Sequence, residues 1–195
     1  MNFLAHQFLS FQKPEIQIGN LYGEIVRAKD YMNYPDGIRK GILLHRSIDS
    51  FTDSNPIVKK STRIFQPNYG KYAPVIVDVI YDYFLIKNWN KYSDLGFEDF
   101  VNGCYTLFKE NMSGFPENLK FIIRHLLNYD WFRNYRSFDG IEETLRGISG
   151  RSKFKNNISE AVHELKIFEN QLNNNFNDFF PLLLEHCKNF IETES

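Results

Sequence analysis

Gly41-Ile42-Leu43-Leu44-His45-Arg46-Ser47-Ile48-Asp49-Ser50-Phe51-Thr52-Asp53 is the stretch on which the rest of the chain is read. Its apolar residues Ile42, Leu43, Leu44, Ile48 and Phe51 recur at helical rather than strand spacing. On a helix, His45 and Asp49 are four apart and share one face on successive turns. An imidazole and a carboxylate so placed are either two ligands for a divalent metal or a base with its orienting acid. Arg46 and Thr52 add a guanidinium and a hydroxyl, groups that hold phosphate. A plain surface His–Asp pair is the alternative, because a short motif taken alone often has no function.

A second chemical stretch runs from Tyr72 to Trp89, where Asp78 and Asp82 are again four apart inside an otherwise apolar segment. The segment is too long for a strand buried on both faces, so a helix is expected. An ionised Asp on such a helix is costly unless paired or metal-bound, and two on one face repel each other. A cation relieves both penalties, and the pair is read as metal-binding. Acids facing solvent between buried aromatics are the alternative.

Outward from these two stretches the chain reads as helix after helix. Met1 to Phe11 is a short apolar helix carrying His6, and Pro14 is expected to break it. A helix over 19–27 would hold Asn20, Glu24 and Arg27 three to four residues apart. Tyr34-Pro35-Asp36-Gly37 leads into the helix of His45, and Pro56 opens the next one. Beyond the second stretch, helices are expected over 96–111, 116–128 and 137–148, with a short segment from Trp131 to Arg136 between the last two. Arg151 then falls just past a helix end flanked by Gly147 and Gly150. Two amphipathic helices fill 157–191 and are expected to meet near Asn173-Asn174-Asn175. His125, His163 and His186 stand alone on ordinary helices and are read as structural or surface residues.

The 195 residues suit one all-α, multi-helix domain (1–195), with a site half (1–91) and a buttressing half (92–195). Nineteen Phe, 11 Tyr and 2 Trp against 7 Pro and 11 Gly describe a packed globular chain, not a disordered one. Cys104 and Cys187 form no metal-binding spacing and are read as free core thiols. There is no apolar run long enough to span a membrane and no basic leader at the start, so a cytoplasmic protein is expected. Charge is uneven: residues 1–91 hold 12 Lys and Arg against 8 Asp and Glu, while residues 92–195 hold 11 against 16. Once a cation neutralises the site acids, the surface around them (Arg27, Lys29, Arg39, Lys40, Lys59, Lys60, Arg63, Lys71) is basic and suits an anionic partner. Nucleic acid is not expected to be that partner, since no nucleic-acid motif is present and the pI is near 6.5.

With these residues in view, the chain resembles the acyl carrier protein phosphodiesterase family. The resemblance begins at Met1-Asn2-Phe3-Leu4-Ala5-His6 and continues through Gly19-Asn20 and the His45-Arg46-x-x-Asp49-x-x-Thr52-Asp53 block. It runs on through Ala73-Pro74, Asp78 and Asp82 to Trp89, then through 131–136 and 147–151, covering nearly the whole chain. It implies a divergent, all-helical branch of the HD-type phosphohydrolases, although no His-Asp dipeptide occurs here. It also implies dependence on manganese and hydrolysis of the phosphodiester joining 4′-phosphopantetheine to a serine of acyl carrier protein.

On that resemblance His6, His45, Asp49, Asp78 and Asp82 are the expected metal ligands. Mixed imidazole and carboxylate donors without thiolate suit Mn²⁺ or Fe²⁺. Glu24 is expected to orient or deprotonate a water, with Asp49 and Arg46 in the catalytic set. Asn20, Arg27, Thr52 and Arg151 are expected on the substrate. Two positions depart from the family pattern: Glu24 stands where an Asp is usual, and Tyr83 where a His follows Asp82. Tyr83 is expected to support the site through a hydroxyl hydrogen bond rather than as a ligand, so that activity persists. A phosphohydrolase acting on another small phosphodiester or nucleotide, and a helical binding protein without turnover, are the alternative readings.

Overall fold

A computed structural model describes residues 1–152 and 154–193, and among these every regular element is helical. In chain order they are α1 (Phe3–Phe8), α2 (Pro14–Gly23), α3 (Asp36–Ser54), α4 (Pro56–Tyr69) and α5 (Ala73–Lys87). Then come α6 (Phe97–Glu110), α7 (Glu117–Asn128), α8 (Trp131–Asn134), α9 (Phe138–Arg151) and α10 (Val162–Thr193). They enclose one continuous hydrophobic core. No described helix is long and apolar enough to cross a membrane.

α5 is the central post. Its residues Ile76, Val77, Val79, Ile80, Tyr81, Phe84 and Leu85 are all buried, as an apolar surface running right round a helix requires. α1, α4, α9 and α10 pack against it. α3 is amphipathic: Gly41, Ile42, Leu44, His45, Ile48 and Thr52 face inward.

The closest helix pair is α2 with α3, and glycine is the reason. A Cβ on Gly19 would sit 2.1 Å from the Ile38 carbonyl oxygen, and one on Gly41 2.3 Å from that of Ile16. Only hydrogen at both positions allows the two backbones to touch. Gly23 extends the seam, since a Cβ there would fall 2.3 Å from the His45 ring.

Four boundaries differ from expectation. Pro14 starts α2 instead of only ending the helix before it, because a first-turn proline loses no helical hydrogen bond. α2 stops at Gly23, with Glu24 as its C-cap and Arg27 in the following loop. α9 continues through Gly147 and Gly150 to Arg151, so that arginine ends the helix rather than following it. In the last helical run the break falls at Phe168 (φ −103°, ψ 15°), not at Asn173–Asn175. Asn173 and Asn175 instead pair with Asn88 and Ser61 across the bundle. Cys104 and Cys187 are free and buried.

Candidate metal centre

α1, α2 and α3 bring His6, Asn20, His45 and Asp49 together. The two imidazoles stack with centroids 4.2 Å apart and planes 25° apart. His6 Nε2 lies 3.1 Å from Asp49 Oδ1, and His45 Nε2 lies 3.3 Å from Asp49 Oδ2. On the far side of both rings sits Asn20 Oδ1, 3.0 Å from His6 Nδ1 and 2.9 Å from His45 Nδ1.

Protonation follows from this network. Asn20 Nδ2 donates to the His6 carbonyl (3.0 Å) and to Ser10 Oγ (3.1 Å), and Ser10 Oγ itself donates to that carbonyl. The amide orientation is thereby set, so Oδ1 is the atom facing the rings, and it can only accept. Each ring in its neutral form therefore carries its hydrogen on Nδ1 and turns an Nε2 lone pair toward Asp49. Burial, reinforced by His6, pushes the His45 imidazole down to about 3, leaving it neutral at pH 7. Burial works against ionising Asp49, but the hydrogen bond with His6 and the nearby Met1 amino group hold its carboxyl down to about 2.

Two nitrogen lone pairs and a carboxylate thus converge on one point. A proton on one Nε2 serves one of the two contacts with Asp49; a divalent cation would serve all three side chains. Among the described residues, these three make the one group whose ligand atoms lie within 4.8 Å of one another. Donors bonded to a common ion at ~2.1 Å stand roughly 3.0–3.4 Å apart, which agrees with the Nε2–carboxylate separations here. The donor set fits a metal.

The centre opens into a cleft of about 300 Å³ walled by Glu24, Asp53, Asp78, Val75, Val79 and Ile148, among others. Glu24 is exposed at its rim. Its carboxyl is raised above the ordinary value by desolvation, with His6 opposing and Asp49 reinforcing. The cleft wall carries four carboxylates and, among the described residues, no Lys or Arg.

The remaining site residues expected from sequence lie elsewhere or act differently. Asp82 is fully buried and accepts from the Leu4 (2.9 Å) and Ala5 (3.3 Å) backbone N–H groups, so it caps α1 instead of meeting the imidazoles. Asp78 is on the cleft wall, where its Oδ1 accepts from the Met1 amino group at 2.8 Å. Arg46 donates to the Ala28 (2.7 Å) and Val26 (3.1 Å) carbonyls and lies 5.1 Å from the Tyr31 ring centroid. It clamps the loop after α2 and does not face the cleft. Thr52 is buried with its hydroxyl unpartnered, and Arg27 is exposed on that loop. Asn20 is buried and orients the rings, out of reach of a substrate. Arg151 lies beside Trp131, lining a neighbouring cavity. The Tyr83 hydroxyl donates to Glu169 and ties α5 to α10, away from the cleft.

Sequence reasoning missed Asp53 as a cleft residue, and it missed the ring-orienting task of Asn20. The signal for the latter was present: Gly19-x-x-x-Gly23 and Gly37-x-x-x-Gly41 place small residues on one face of each helix, which marks a close approach.

The fold and the cleft together define an all-α protein with a two-histidine, one-carboxylate centre suited to a divalent cation. The chain belongs to the acyl carrier protein phosphodiesterase family, a family of hydrolases, whose sequence profile matches residues 1–183. Curated relatives bear the same name. That of Enterobacter sp. (strain 638) is 29% identical over 190 residues, covering 97% of this chain and 98% of the relative. That of Klebsiella pneumoniae (strain 342) is 30% identical with the same coverage, and that of Pectobacterium atrosepticum is 29% identical over 96% of this chain and 98% of its own. No solved structure gives a significant match.

Proposed function

We propose that this protein is a divalent-cation-dependent phosphodiesterase that releases 4′-phosphopantetheine from the serine of holo-acyl carrier protein. The observation that carries the reading is the convergence of the His6 and His45 Nε2 atoms on Asp49 beneath an open cleft, in a chain of this family. The wall chemistry supports it: a phosphodiester entering a cleft lined by carboxylates needs a cation to be held there at all. Mixed nitrogen and oxygen donors without thiolate favour Mn²⁺ or Fe²⁺. The uncovered surface of the first half is basic, which suits an acidic carrier protein.

Bound between the three donors, the cation supplies Lewis acidity toward a phosphoryl oxygen and toward water. The chain's residues do the rest. Asn20 keeps both rings in the tautomer that presents Nε2, and Asp82 fixes α1 so that His6 stays over Asp49. Glu24, at the rim with a raised carboxyl pKa, takes the proton from the attacking water. Arg46 and Tyr83 act on structure, not on substrate. The bundle is read as a divergent HD-type phosphohydrolase domain.

The test is to incubate the protein with Mn²⁺ and holo-carrier protein and weigh the carrier by mass spectrometry. Loss of the phosphopantetheine mass, abolished by Asp49→Ala, is expected. An unchanged mass contradicts the reading and directs the search to other phosphodiesters.

A further inference from the structure

A second cavity, of about 480 Å³, adjoins the metal cleft, with Asn2, Phe3 and Ile148 in the wall of both. Its chemistry is the opposite of its neighbour's. Phe3, Trp131 and Tyr135 form the inner wall, with Phe3 and Trp131 edge-to-face at 5.4 Å. On the outer side Phe121 and His125 of α7 and Tyr129 at its C-cap form a row of tilted aromatic rings, with Phe121 56% and Tyr129 58% exposed. Large aromatics left in water beside a cavity are unusual away from a binding site. The volume lies within the ~300–1,000 Å³ typical of small-molecule sites.

Resting on the functional reading above, we infer that this aromatic cavity holds the non-phosphate arm of the substrate, the pantetheine chain, while the phosphodiester lies in the cleft. A phosphodiester has two arms. The carrier protein is far too large for the cavity and stays outside, which leaves the slender arm to enter. That arm leaves the phosphate through a methylene to an apolar gem-dimethyl carbon, then passes a hydroxyl-bearing carbon and two amides to a thiol. The apolar end nearest the phosphate meets the shared Phe3 and Ile148, and the exposed aromatic row lies on the cavity's outer side. Asn134 and Thr144 line it as hydrogen-bonding partners for amides. Binding energy from such a remote arm positions the reacting group and separates this substrate from diesters lacking it.

Gly147 allows a clean test. It lines the cavity on α9, and a Cβ built there meets nothing within 4 Å, so a large side chain enters open space. Gly150, on the same helix, is equally open but is not part of the wall. Initial rates on holo-carrier protein with Mn²⁺ are measured for the wild type, Gly147→Phe and Gly150→Phe, alongside inhibition by free 4′-phosphopantetheine and by inorganic phosphate. The expected result is a fall of about tenfold or more in kcat/KM for Gly147→Phe, carried mainly by KM. Its inhibition constant for phosphopantetheine should rise in parallel, with that for phosphate unmoved and Gly150→Phe behaving as wild type. Phe121→Ala, which alters an exposed side chain, should raise KM several-fold and covers the case in which Gly147→Phe does not fold. Equal kinetics in all variants, or equal losses in both glycine variants, overturns the arm site and leaves the phosphodiesterase reading standing. A wild type that releases no phosphopantetheine overturns both.

Discussion

α3 and α5 each carry a polar pair four residues apart, His45 with Asp49 and Asp78 with Asp82, and the two pairs have opposite fates. The α3 pair meets the stacked His6 imidazole beside an open cleft, and the three side chains form a donor set that a cation would complete. The α5 pair faces the start of the chain, where the Met1 amino group and the Leu4 and Ala5 N–H groups supply the donors. Helical spacing puts two side chains on one face; what stands opposite decides whether that face is a candidate metal site or an anchor. The two are coupled, because the segment held by Asp78 and Asp82 is the one that carries His6.

The largest expected effect attacks the seam that brings the α3 pair to its partners. Gly41→Ala places a Cβ against the Ile16 carbonyl and the Gly19 backbone, and should cost about 3 kcal/mol in denaturant unfolding. Adding Mn²⁺ to the metal-free protein should then separate the two pairs. At 100-fold excess over Kd it should raise the unfolding free energy by about 2.7 kcal/mol in the wild type and in Asp82→Asn, but not in Asp49→Ala. In metal-free protein the ranking reverses. Asp82→Ala leaves two buried N–H groups without an acceptor and should destabilise by about 2 kcal/mol. Asp49→Ala removes a half-exposed carboxylate that pairs with His6 and should destabilise by only about 1 kcal/mol. The smallest effect belongs to Tyr83: Tyr83→Phe loses one hydrogen bond to Glu169, about 0.5–1 kcal/mol, and Tyr83→His should hydrolyse carrier protein at a rate comparable to wild type. A large gain in Tyr83→His would place that side chain in the chemistry after all.

Much of this was legible in the sequence because helical periodicity is local. The long apolar α5, the amphipathic α3 and the His45–Asp49 face follow from spacing alone. What was not legible depends on groups far away in the chain. Arg46 looked like a phosphate ligand until the carbonyls of Val26 and Ala28 appeared in its reach. Asp82 looked like a metal ligand because a buried carboxylate needs a partner, and the orphan N–H groups at the start of α1 are equally good partners. Asn20 looked like a substrate contact, whereas the glycine seam buries it behind both imidazoles. In each case the residue type correctly announced an unsatisfied polar group, and tertiary packing chose its mate.

On the proposed reading Asp49, and not Asp82, holds the cation. Manganese content after dialysis, measured by elemental mass spectrometry on wild type, His45→Ala, Asp49→Ala and Asp82→Asn, tests this most directly. Stoichiometric metal in wild type and Asp82→Asn, with none in His45→Ala and Asp49→Ala, is the expected result. Equal metal in all four proteins, or loss in Asp82→Asn with retention in Asp49→Ala, would contradict it.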